Sequence, residues 1–172
     1  PLFFLFQHAF TSLFCDSLFV VRLPSVLAGL FAIWFIYLIT KKVFENSELA
    51  GLLAAALLAI NHIHIWISRS SLMESTLIAL ILLNIYMFLC FLEDRKKYWL
   101  WLGLTLGLAF LTKYTAAFLV PAYLIFLAFS NREIFKEKWI YLATTISATI
   151  FSPVLFYNYN LYKLVGHFDL QF

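Results

Sequence analysis

The sequence predicts an all-α, polytopic transmembrane bundle, and three observations carry that prediction. Of its 172 residues, 64% are hydrophobic and only 12% charged, against about 45–50% and about 25% in soluble domains. The mean hydropathy is +0.92. A chain this poor in charge cannot cover a water-soluble globule, and one this rich in apolar surface does not stay disordered. Charge-free runs of spanning length recur along it, and its basic residues fall in alternate connections. About six spans are expected, preceded by an amphipathic helix at the outer interface, all within a single transmembrane domain over residues 1–172.

That first helix covers Pro1 to Phe19. Its polar residues come in pairs at Gln7–His8, Thr11–Ser12 and Cys15–Asp16, close to a helical period, with Phe and Leu between them. Pro24 then follows Arg22 at the start of the first span, where a helix tolerates proline at its first position.

The spans follow from the charge-free runs: Leu23–Thr40 (18 residues), Leu49–Ser68 (20), Ser75–Leu92 (18), Tyr98–Thr112 (15), Tyr114–Asn131 (18) and Trp139–Tyr162 (24). A helix crossing the bilayer needs about 17–25 apolar residues. The fourth run is short, and Lys113 alone separates it from the fifth, so the two are expected to form a helical hairpin. Lys41 and Lys42, then Arg95 to Lys97, then Arg132, Lys136 and Lys138 occupy alternate connections, which the positive-inside rule places in the cytoplasm. Arg22, Arg69, Lys113 and Lys163 then all belong to the opposite face.

Composition narrows function further. The net charge of +3 is dispersed and leaves no nucleic-acid footprint. Cys15 and Cys90 lie apart in apolar surroundings and are expected to be reduced thiols. The chain opens on Pro1 and closes on Phe172 without a basic or polar tail, and is expected to be an internal piece of a longer protein.

Candidate chemistry concentrates between Asn61 and Ser75. Ionisable groups at membrane depth mark functional sites or paired interior charges. Arg69 and Glu74 converge if the chain turns near Ser70 and Ser71. They form either an ion pair locking that turn or a site in which the Arg69 fork recognises phosphate or carboxylate. His62 and His64 flank Ile63, point to different helix faces and cannot chelate one metal; hydrogen-bonded interfacial histidines are the simpler reading. Lys113 either snorkels to the headgroups or faces an outer cavity shared with Arg69. Gly103 and Gly107 have the spacing for close helix packing. Trp66, Tyr98, Trp99, Trp101 and Trp139 lie near span ends, as interfacial belts require.

At these residues the chain resembles the integral-membrane glycosyltransferases of the GT-C type, most closely the dolichyl-phosphate-mannose protein mannosyltransferase and aminoarabinose transferase group. Pro1-Leu2-Phe3-Phe4 resembles the end of a His-Pro-Pro-Leu stretch. Arg22-Leu23-Pro24-Ser25, followed by Gly29, resembles the group's Arg-Leu-Pro-Ser helix start. His64 to Arg69, continuing through Leu72 to Glu74-Ser75, is similar to its His-Ile-x-x-Ser-Arg-x-x-Leu-x-Asp/Glu-Ser element, and Gly103 to Tyr114 to its Gly-Leu-x-x-Gly-Leu-Ala-x-Leu-Thr-Lys-Tyr element. Asn158 and Gly166 fit a looser pattern.

The resemblance implies transfer of a sugar, hexosyl or pentosyl, from a polyprenyl-phosphate carrier to a protein, lipid or glycan acceptor. It places the active face outside a prokaryotic plasma membrane. It implies Arg69, Lys113, Glu74 and His64 as donor-phosphate or cavity residues, with Arg22, Pro24, Gly103 and Gly107 holding the fold. The group generally uses a divalent metal and an acidic residue in its first outer loop. The general base is therefore expected upstream of Pro1, with no metal ligand inside these 172 residues. Membrane lipids are the other expected partners. A small-molecule or lipid transporter is the rival class, in which Arg69, Glu74 and Lys113 would form a coupling or anion site. Transporters usually place such groups near the midplane, often in repeated halves, whereas here the charges lie at one edge and no repeat appears.

Overall fold

A computed structural model describes residues 2–14 and 17–168. Pro1, Cys15 and Asp16, which figured in the expectations above, lie outside that range. Eight α-helices are present among the described residues, and no strand. They are α1 (Leu2–Phe14), α2 (Leu18–Val43), α3 (Glu48–Ala59), α4 (His62–Arg69), α5 (Met73–Glu93), α6 (Arg95–Thr112), α7 (Leu119–Ser130) and α8 (Lys138–Val165). Short 3₁₀ turns at Tyr114–Phe118 and Arg132–Lys136 precede α7 and α8.

The all-α membrane architecture is as the composition requires, but the spans divide differently. Only α2, α5 and α8 are long and apolar enough to cross by themselves. Helices α3 and α4 reach spanning length and hydropathy only when taken together, as a pair bent by 62° at its break. The 20-residue run Leu49–Ser68 is thus two helices. Asn61 breaks it, because its side-chain oxygen accepts from the His64 N–H at 2.9 Å and so caps a new helix start. The six-span count needs α6 and Tyr114–Ser130 to cross as well. Helix α6 opens on Arg95-Lys96-Lys97, and Tyr114–Ser130 is a shorter apolar helix.

Helix α2 corrects a second expectation. Ser17 caps it by accepting from the Val20 N–H, so it starts at Leu18. Pro24 therefore lies inside the helix rather than at its first position.

The chain divides into two compact units, residues 1–89 and 90–172, with the boundary inside α5. In the first unit, α2 and α5 start at the same end and pack Ala28 and Ala32 against Ala79, with Leu58, Ile78 and Leu82 around them. Small side chains let helix backbones approach where lipid supplies no hydrophobic drive. The α3–α4 pair runs back between their opposite ends. At the far end of α2, Lys41 is ion-paired with Glu48, which also accepts from the Tyr37 hydroxyl.

In the second unit α6 packs on α8. A Cβ on Gly103 would lie 3.1 Å from the Ala143 Cα, and one on Gly107 would lie 2.8 Å from the Ile150 Cβ. Gly103 thus meets the α8 backbone, and Gly107 makes room for the Ile150 side chain. Arg95 is ion-paired with Glu137 beside the Trp99–Trp139 ring contact. Gly166 ends α8 at φ 78°, a left-handed cap that glycine adopts without Cβ strain.

Candidate functional site

The site grows from Pro24. Inside a helix, proline removes one backbone hydrogen bond and crowds the preceding turn, and in membranes nearby side chains re-satisfy the loosened carbonyls. Pro24 supplies no N–H to the Val20 carbonyl, and in the same turn the Val21 carbonyl accepts from Ser71 Oγ at 2.8 Å and from Gln7 Nε2 at 3.4 Å. Gln7 also donates to Ser71 Oγ at 3.1 Å, tying α1 to the same point.

The next residue continues the seam. Ser25 Oγ donates to the Leu72 carbonyl at 3.1 Å, and Ser75 Oγ donates to the Ser25 carbonyl at 2.7 Å. Ser25 and Ser75 are both buried. One turn further, a Cβ on Gly29 would come within 2.8 Å of the Ser68 Cβ. His64 Nε2 lies 3.3 Å from the Gly29 carbonyl. The Arg-Leu-Pro-Ser and His64–Ser75 elements are therefore two halves of one docking surface. Ser71, at φ 55°, makes the reversal between α4 and α5.

The outward product of this docking is a pair of guanidinium groups. Arg22 and Arg69 are both exposed, and both line each of two clefts. The first, about 390 Å³, is completed by Leu18, Phe19, Leu23 and Val26. The second, about 510 Å³, is completed by His62, Ile65, Trp66 and Ser70. Neither arginine has a hydrogen-bond or ion-pair partner among the described residues. Two like charges on one rim, without a carboxylate partner among the described residues, favour an anionic occupant, and the planar fork suits phosphate oxygens.

The expected residues divide clearly. Arg69 faces the clefts and makes no ion pair with Glu74, which is half-buried in the first turn of α5 and lines neither cleft. His64 is 6% exposed, its Nε2 faces the Gly29 carbonyl of α2, and it is not among the residues lining either cleft. Arg22, expected to hold the fold, stands on the cleft rim. His62 was read as an interfacial histidine and Trp66 as part of an interfacial belt, and both line the second cleft. Their signal was the helical stripe 62, 65, 66, 69 and 70, which follows the i, i+3, i+4, i+7, i+8 period of one face.

Lys113 belongs to the second unit. It is half-buried, caps α6 in extended backbone and leads into the 3₁₀ turn. The adjacent Tyr114 hydroxyl accepts from Asn158 Nδ2, which joins that turn to α8. Cys90 is a buried free thiol. Among the described residues no group of three or more His, Cys, Asp or Glu side chains is placed to hold a metal ion.

Residues 1–157 match the family model described as dolichyl-phosphate-mannose-protein mannosyltransferase. The chain belongs to that family. The match takes in Arg22, Arg69 and Lys113 together. Over 134 residues the chain is 31% identical to a curated Bacillus subtilis (strain 168) protein named "Putative mannosyltransferase YycA". The aligned stretch is 77% of this chain but 19% of that relative, so this mannosyltransferase-family segment spans about a fifth of the relative's length. No solved structure matches the chain at a significant level.

Proposed function

We propose that this chain is the part of a GT-C type membrane glycosyltransferase that receives a polyprenyl-phosphate-linked sugar. The donor phosphate sits at the Arg22–Arg69 rim, on the outer face of the membrane. The observation that carries this reading is the pair of exposed arginines on shared clefts, without a carboxylate partner among the described residues. The distribution of Lys and Arg supports the sidedness, since Lys41 and Lys42 lie at the other end of the helix that carries Arg22.

The reaction is a displacement at the sugar's anomeric carbon. An acceptor hydroxyl on a protein, lipid or glycan attacks that carbon with inversion as the bond to the phosphate oxygen breaks. Polyprenyl phosphate leaves with the electron pair, and the hydroxyl proton passes to a base outside these 172 residues. Negative charge grows on the phosphate as it departs. Fixed guanidinium groups aimed at it stabilise the transition state more than the ground state. Docking of α4 on α2 at Gly29, and of the following turn and α5 on α2 through Ser25, Ser71 and Ser75, holds both arginines in place before the donor arrives.

The test is transfer from radiolabelled polyprenyl-phosphate sugar by membranes containing the full-length parent. Arg69→Ala is expected to lower transfer severely. Lys113→Ala is assayed beside it, because the resemblance assigns that lysine a phosphate-facing role. Full activity in the Arg69 variant contradicts the assignment, and solute uptake without sugar transfer favours a transporter.

A further inference from the structure

The two clefts at Arg22 and Arg69 differ in chemistry. One continues from the guanidinium groups into Leu18, Phe19, Leu23 and Val26, a wholly apolar wall. The other continues into His62, Trp66 and Ser70. A lipid-linked sugar has the same order of parts: an apolar chain, an anionic phosphate and a polar ring. We infer, resting on the donor reading above, that the clefts are two arms of one subsite. The isoprene units nearest the phosphate lie along Leu18 and Phe19, and the sugar lies against Trp66 and His62.

Several details favour this assignment over a site for a free anion. A free anion needs the arginines but not an apolar arm. Leu18 and Phe19 are 77% and 74% exposed, next to the charges rather than out on the lipid-facing length of α2. On the other side, Trp66 is 59% exposed and its ring stacks on no other among the described residues. An indole presents a broad apolar face and an N–H donor, which suits the C–H face and hydroxyls of a pyranose ring. His62 lies one helical turn before Trp66 on the same face and has no hydrogen-bond partner among the described residues. Ser70 Oγ donates to the Trp66 carbonyl at 2.7 Å, closing the last turn of α4 and steadying the backbone that carries the indole.

The rival explanation of Trp66 is an interfacial anchor with no part in recognition. Substitutions at exposed residues separate the two without disturbing the core. In the full-length protein reconstituted in nanodiscs, Trp66→Leu is expected to weaken polyprenyl-phosphate mannose by about 3–10-fold, the range of one aromatic contact. The same variant leaves binding of sugar-free polyprenyl phosphate unchanged, and Trp66→Phe restores most of the loss. Leu18→Asn with Phe19→Asn is expected to weaken both ligands alike and to erase any preference for the long chain over geranyl phosphate. The two-arm assignment is overturned if Trp66→Leu weakens both ligands equally, as an anchor would, or weakens neither. If the unsubstituted protein binds no polyprenyl phosphate at all, the donor reading itself fails, and that outcome is read before any variant is compared.

Discussion

The two ends of helix α2 carry cations in opposite circumstances. At its C-terminal end Lys41 is paired with Glu48, and the Tyr37 hydroxyl completes the cluster. At its N-terminal end Arg22 stands with Arg69 on open clefts, and the side chains around them are apolar, aromatic or neutral. The hydrogen-bonding capacity of that region is spent instead on joining backbone to side chain at Val21, Ser25, Gly29 and Leu72. The difference teaches what each charge is for. A cation matched by protein fixes a turn, whereas two cations with no carboxylate partner among the described residues keep their field for a ligand.

The comparison breaks most sharply at Arg69. Arg69→Ala is expected to raise the donor KM or lower transfer by about tenfold or more, the loss of one charge-assisted hydrogen bond to phosphate. Arg69→Lys should recover only part, because a point charge replaces a fork. Gly29→Ala tests the frame next. The new methyl meets the Ser68 side chain, and the overpacking is expected to cost about 1–3 kcal/mol, seen as a lower melting temperature with a raised donor KM. Ser75→Ala leaves the Ser25 carbonyl without its donor and is expected to cost about 1 kcal/mol, measurable by the same melting assay. Lys41→Gln or Glu48→Gln is the smallest: an exposed pair contributes little, so donor KM and transfer rate should stay at the parent's values.

Much of the architecture was legible in the residues. The charge-free runs anticipated α2, α5 and α8, and the glycines at 103 and 107 marked where α6 approaches α8. The break at Asn61 was hidden because a capping side chain is a local hydrogen bond within an unbroken apolar run, and run length does not register it. Pro24 misled for a related reason. A proline inside a membrane helix is tolerated when distant donors serve its turn, and Ser71, 47 positions away, cannot be paired with it by reading along the chain.

The site was partly readable. Arg69 stood out as an ionisable group between spans. His64 shared its motif but turned inward, since a helix separates residues five apart onto different faces. The resemblance implied that Arg22 holds the fold, whereas it is exposed and lines both clefts. Lys113 is placed by its cap and its 3₁₀ turn within the second unit, and its role stays with the transfer assay.

The most direct measurement of the central claim is equilibrium binding of polyprenyl phosphate to the full-length protein in nanodiscs, comparing substitutions at the two ends of α2. The Arg22→Gln/Arg69→Gln variant is predicted to bind about a hundredfold more weakly than the parent, while Lys41→Gln binds like the parent. Parental affinity in the arginine variant, or an equal loss in the lysine variant, would contradict the account.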